Sequence, residues 1–255
     1  MRDGITLAYD EAGAHDPALV FVHGVACHKG FWTQQMTHFA PAHRAVAIDL
    51  RGHGSSDAPR QRYTVTAFAD DLIWMCAQLG IDRPLVIGHS LGGLIALELA
   101  ASSPERIAAA VLIDSVLLPD GDRSTAVARL VAGLRSADAA RTLSEYFSTF
   151  FAPYDRPSVN AWILSEAVQT PPHVTSSVWE ESLRSWNDER ALRPSPVPLL
   201  YLDAGTPNAD LTRAADHNPR LMIGRTIGSG HFSPLQVPAQ INSMLERFVS
   251  IVIDR

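Results

Sequence analysis

The stretch VIGHSLGGLIALELA, residues 86–100, decides the fold. It runs from β-branched apolar residues into Gly88-His89-Ser90-Leu91-Gly92-Gly93 and then into a segment that reads as helix. A serine set between glycines at a strand-to-helix junction predicts a tight corner that presents its hydroxyl. Side chains at the flanking positions would collide with neighbouring backbone, so the small residues answer a steric need. The pattern is G-x-S-x-G, and Ser90 falls at the carboxyl end of its strand, where open parallel sheets bind ligands. The helix that follows favours negative charge developing at its N-terminus. A glycine-rich turn with an incidental N-cap serine is the plain alternative, and the strand before and helix after argue against it.

Outward from this corner, further apolar runs read as buried strands: ALVFVHG (18–24), HRAVAIDLRGHG (43–54), IAAAVLIDS (107–115), VPLLYLDAG (197–205) and RLMIGRTIGSGH (220–231), with RPLVIGHS (83–90) leading into the corner itself. Helical spacing of apolar residues marks 64–80, 91–103 and 235–252. Strands alternating with helices predict an α/β fold with a mainly parallel, doubly wound sheet. Residues 117–194 break the alternation. They carry helical patterns near 124–136, 138–151, 158–169 and 174–190, punctuated by prolines. The expected organisation is a core of 1–116 and 195–255 with a helical cap, 117–194, inserted between two strands.

Composition narrows the function. The chain has 255 residues, 46% of them hydrophobic, and a formal net charge of −6 without a basic run, so nucleic acid is not an expected partner. Its two cysteines, Cys27 and Cys76, lie far from any metal-ligand spacing, and neither CxxC nor HExxH occurs. No metal or cofactor is expected, and a small molecule is the expected partner. The N-terminal residues lack the apolar run of a signal peptide, and no apolar stretch is long enough for a membrane span. A soluble cytoplasmic protein follows as the expectation.

Four motifs together resemble the α/β-hydrolase fold superfamily over nearly the whole chain: FVHG at 21–24, DLRGHGSSD at 49–57, GHSLGG at 88–93 and GSGHFSPLQVP at 228–238. Its serine-nucleophile branch is the one implied, since relatives that dehalogenate or open epoxides carry a carboxylate where this chain has Ser90. The resemblance makes Ser90 the nucleophile and His231, in a Gly-rich loop before the last helix, the general base. It makes the amides of Val25 and Leu91 the oxyanion hole. His23, Arg51 and Asp57 are expected to brace loops. The acid departs from the commonest pattern, because the expected Asp position holds Asn208, which orients a ring but does not offset imidazolium charge. Asp114, at the end of the strand pattern that follows the nucleophile helix, is the preferred acid. Some branches of the family place it there, and a carboxylate ending an apolar run needs a partner. Asp210, Asp203 and Asn208 stay open as alternatives.

The insertion holds Trp162, Trp179, Trp186 and the run EYFSTFFAPY (145–154). Aromatics at helical spacing usually build core, yet those on the face toward the site favour a small apolar or aromatic substrate. His28, Trp32, His89, Trp162 and Phe232 are the expected substrate-binding residues. The expected activity is serine hydrolysis of an ester, a lactone, a thioester or a carbon–carbon bond beside a ketone. Two alternatives stand beside it. One is cofactor-independent oxygenation of a hydroxyquinolone-like ring by the His-Asp dyad, and the other is a small-molecule receptor on the same fold.

Overall fold

Alternate residues of the apolar runs face opposite ways, and both ways are buried. In β2 (Leu19–Val22), Val20 and Val22 join one apolar cluster and Leu19 and Phe21 another. The computed structural model describes residues 4–118, 124–186, 188–205 and 208–253. Its strands are β1 (Tyr9–Ala12), β2, β3 (Ala45–Ile48), β4 (Leu85–His89), β5 (Ala109–Ile113), β6 (Leu199–Asp203) and β7 (Met222–Arg225). They form one sheet in the order β1-β3-β2-β4-β5-β6-β7, parallel throughout except for β1 against β3. The expected α/β class and the six expected strands are present. β1 is additional: its sequence, YDEA, lies exposed on the sheet edge and carries no apolar alternation to announce it.

One apolar cluster lies under α2 (Val65–Gln78) and α3 (Leu91–Ser102), and the other under α1 (Thr33–Phe39) and α11 (Pro238–Ile253). α3 is buried on every side, as a helix without a polar stripe must be. Its one charged residue, Glu98, is buried and accepts from Trp186 Nε1 at 2.8 Å and pairs with Arg190 at 3.1 Å. Between β6 and β7 lies α9 (Leu211–His217), and α10 (Ser233–Gln236) precedes α11.

The interval between β5 and β6 holds α4 (Ser124–Leu134), α5 (Ala139–Ser148), α6 (Pro157–Ala167), α7 (Pro172–Val178) and α8 (Asp188–Ala191). Residues 119–123, at the start of the expected cap, lie outside the described residues. The single helix expected over 174–190 is instead α7, a π-helical turn at Trp179–Leu183, and α8. The wider turn lets Ser182 Oγ donate to the Tyr63 carbonyl at 2.8 Å while Trp179 and Leu183 face a cavity.

Register sets up the site. β4 pairs with β5 so that His89 lies opposite Ile113. Ser90 and Asp114, the next residue of each strand, therefore leave the sheet side by side.

Candidate active site

Ser90 has φ 53° and ψ −115°, a strained conformation for a residue with a side chain. Its neighbours make it possible. A Cβ at Gly88 would lie 2.0 Å from the Gly92 carbonyl carbon, and one at Gly92 would lie 2.1 Å from the Val22 oxygen. The corner is tied down on both sides: Ser90 N–H donates to the Ile113 carbonyl at 2.9 Å, and Ser115 Oγ donates to the Ser90 carbonyl at 2.8 Å.

His231 Nδ1 lies 2.6 Å from Asp114 Oδ2. Because a carboxylate only accepts, Nδ1 carries a proton, and in the tautomer this fixes Nε2 is the atom free to accept one. Asp114 is fully buried, at φ 46°, a region that Asp tolerates better than most residues. Asn208 Nδ2 donates to the same Asp114 Oδ2 at 2.9 Å and lies 3.4 Å from His231 Nδ1. The other candidates for the acid are engaged elsewhere. Asp210 Oδ1 caps α9 by accepting from Arg213 N–H at 2.9 Å, and Asp203 pairs with Arg225. Asn208 thus meets the ring through the carboxylate it supports, a role its sequence position alone did not reveal.

Val25 lines the cavity just after β2, and Leu91 opens α3, where the first amides have no intrahelical acceptor. A Cβ at Gly24 would lie 3.1 Å from Ser90 Cβ, so the loop after β2 approaches the corner closely. His23 holds that loop: Nδ1–H donates to the Gly24 carbonyl at 2.7 Å, and Nε2 accepts from Leu50 N–H at 3.0 Å. Arg51 pairs with Asp71, and Asp57 accepts from Thr6 N–H at 2.7 Å. These residues brace loops as the sequence suggests.

A cavity of about 920 Å³ opens at Ser90, His89, His231 and Phe232. The insertion supplies its apolar wall, including Val127, Leu130, Tyr146, Phe147 and Trp179, and Phe150 stacks 4.6 Å from the His231 ring. Of the expected substrate-binding residues, His89 and Phe232 reach the cavity, and His28, Trp32 and Trp162 lie outside its lining. Trp32 is buried against Phe21 in the cluster on the opposite face of the sheet, because the short helical turn at Lys29–Trp32 rotates its side chain toward α1. His28 and Trp162 pack on Phe31 at 5.0 and 4.7 Å, and His28 Nε2 lies 3.2 Å from Glu166, which joins α6 to the loop after β2. Aromatic residues near the motif were legible, but not which side of the backbone each would take.

Burial pulls the His89 imidazole down to about 3, and the neighbouring His231 lowers it further whenever its ring is protonated. His89 is therefore neutral, and its Nε2–H donates to the His231 carbonyl at 2.8 Å. Burial likewise lowers His23 and His53 to about 3. Among the described residues, no group of three or more His, Cys, Asp or Glu is placed to hold a metal ion, and no helix is long and apolar enough to cross a membrane.

The alpha/beta hydrolase fold family model matches residues 17–236. The sequence is similar to an uncharacterized protein of Mycobacterium tuberculosis, 27% identical, over 96% of this chain and 79% of that protein. The structure is similar to the enol-lactonase from Burkholderia xenovorans LB400, with a TM-score of 0.88 and 20% identity over 97% of this chain and 98% of that one. It is also similar to a thermophilic esterase from Thermogutta terrifontis, with a TM-score of 0.88 and 22% identity over 97% and 94% of the two chains. The two solved structures share the fold, and the family model spans most of the sequence: the chain belongs to the alpha/beta hydrolase fold family and is a hydrolase of that fold.

Proposed function

We propose that the chain is a serine hydrolase acting on a small apolar or aromatic ester, lactone, thioester or carbon–carbon bond beside a ketone. In this reading His231 Nε2 takes the Ser90 proton as Oγ attacks the substrate carbonyl. The amides of Val25 and Leu91 receive the oxyanion, and Asp114 holds the imidazolium that forms. His231 then gives its proton to the leaving group. Water enters, His231 takes its proton, and hydrolysis of the acyl-enzyme returns Ser90.

The observation that carries the reading is the 2.6 Å contact of His231 Nδ1 with the buried Asp114 carboxylate, at the edge of the cavity that also exposes Ser90. A carboxylate desolvated so fully is stabilised by a protonated ring, which is what general-base action produces. Residues 117–194 act as a cap in this reading, their apolar wall selecting the acyl or aromatic part of the substrate. The Burkholderia enol-lactonase and the Thermogutta esterase, similar in fold, fit the same substrate range.

A serine-directed fluorophosphonate tests the reading. The expected result is a single mass adduct on Ser90, with burst-phase release of p-nitrophenol from p-nitrophenyl esters. Full turnover by Ser90→Ala on every accepted substrate would overturn it, as would oxygen uptake with a hydroxyquinolone in place of ester cleavage.

A further inference from the structure

The loop that carries His231 is held by the insertion rather than by the core alone. Gly230 N–H donates to Asp155 Oδ1 at 3.0 Å, and His231 N–H donates to the Phe150 carbonyl at 3.2 Å. Asp155 Oδ2 meanwhile accepts from Ala152 N–H at 2.8 Å, and its own N–H donates to the Ala152 carbonyl at 3.0 Å. The approach is close: a Cβ at Gly230 would lie 2.5 Å from the Phe150 oxygen and 2.9 Å from Ala152 N. Just beyond, Arg156 N–H donates to Gln236 Oε1 at 2.9 Å, and Gln236 Nε2 donates to Asn160 Oδ1 at 2.7 Å.

Asp155 is buried, 7% exposed, and no ion pair to it occurs among the described residues. Burying a carboxylate is costly unless hydrogen bonds hold it. Its two oxygens accept from two separate segments at once, the turn after α5 and the loop before α10. An amide side chain has one acceptor oxygen, and its NH₂ would face the second backbone N–H. The other side of His231 is fixed by the corner, through His89 Nε2–H on its carbonyl. The backbone of residue 231 is thus spanned between insertion and corner, and the ring it carries touches Asp114, Asn208, His89 and Phe150.

We infer that Asp155 is a positioning residue for His231: the Asp155 carboxylate, through Gly230 N–H, makes the alignment of the base depend on the insertion being seated. The inference rests on His231 acting as the base of the proposed hydrolysis. Misplacement of a reacting group by about 1 Å costs on the order of 100-fold in rate, so a loosened loop registers in turnover before it registers in binding.

The test compares Asp155→Asn and Asp155→Ala with wild type on p-nitrophenyl acetate, with Arg62→Ala, a change at an exposed ion pair to Glu181, as the control. Expected for the two Asp155 variants is a loss in kcat of about 10- to 100-fold with KM held within about 3-fold, and a parallel loss in the rate of fluorophosphonate labelling of Ser90. Arg62→Ala keeps both rates. Hydrogen exchange should rise in the peptide spanning Gly230–Phe232 of Asp155→Asn and stay unchanged across β4 and β5. Wild-type kcat and labelling in a folded Asp155→Asn overturn the inference. Should neither variant fold, native-state exchange of wild type in denaturant decides: peptides 150–156 and 229–232 opening together support it, and independent opening overturns it. Full turnover by Ser90→Ala would instead end the underlying hydrolase reading, so the two failures are distinguishable.

Discussion

Ser90, Asp114 and His231 are 8%, 0% and 4% exposed, and the first two stand in left-handed backbone held by glycines and strand ends. Across the cavity, on the insertion, Arg129, Glu145 and Arg184 line the same space and are exposed. The charged pairs there are surface pairs, such as Arg135 with Glu180 and Arg184 with Glu180. The two sides are built by different physics. On the sheet side the buried polar groups around Ser90, Asp114 and His231 are held by specific hydrogen bonds in place of water, so each partner is hard to substitute. On the insertion side, apart from Asp155 and its partners, the wall toward the cavity offers apolar area, which many side chains supply equally well. Chemistry is therefore expected to be brittle on the first side and selectivity to be tunable on the second.

The comparison breaks most readily at its strongest point. Ser90→Ala is expected to lower kcat on p-nitrophenyl esters by about 10⁴-fold or more with little change in melting temperature, read by steady-state kinetics and calorimetry. Asp114→Asn is expected to cost about 10⁴-fold, since an amide neither fixes the Nδ1–H tautomer nor offsets imidazolium charge. A loss under about 10-fold would show that Asn208 or another group shares the task.

Stability against pH sharpens the contrast. His23, His53 and His89 lie on the sheet side and are lowered from 6.5 to about 3. Between those values the unfolded chain binds protons that the folded chain does not, so their contribution is complete above about 6.5 and is lost as pH falls toward 3. Each imidazole contributes a slope of up to about 1.4 kcal/mol per pH unit. Urea midpoints should fall steadily from pH 6.5 to 4.5, and a flat profile over that window would remove these groups from the account.

Smaller effects belong to the insertion. Phe147, 1% exposed and lining the cavity, bounds its apolar wall. Phe147→Ala is expected to shift kcat/KM in favour of longer acyl chains over acetate by about 10-fold, measured on a p-nitrophenyl ester series, with a stability loss of about 3 kcal/mol. Arg135→Ala, at a surface pair, is expected to change stability by less than about 1 kcal/mol in urea unfolding and to leave turnover unchanged. A large effect there would show that the insertion is as tightly specified as the sheet.

Much of the sheet side was legible because its signals are local. The apolar runs of β2, β4 and β5 are buried on both faces and so read as unbroken hydrophobic segments. The elbow pattern is contiguous in sequence, and Gly88 is demanded by the Gly92 backbone within the same strand-turn-helix unit, while Gly92 answers to the Val22 carbonyl of β2. Asp114 is legible because a carboxylate that closes an apolar run has to find a partner and because the resemblance places an acid on this strand in some branches, and the structure gives it His231 and Asn208. β1, α1 and α9 left weaker marks, being short elements with few buried residues to impose a period. Trp32 lies away from the cavity because a short turn sets which face of the sheet an aromatic joins.

By itself the sequence determined the α/β alternation, the strand-turn-helix corner at Ser90, the Gly-rich loop at His231 and the helical patterns between β5 and β6, since each is a local pattern of apolar residues, glycines and prolines. Only the tertiary structure decided that Asn208 supports Asp114, that His89 grips the carbonyl of His231, and that Asp155 reaches across to Gly230. Those contacts join residues 75 to 142 positions apart. A hydrogen bond is directional and short-ranged, so no local pattern encodes its partner, and packing of the whole sheet and insertion must first bring the two ends together.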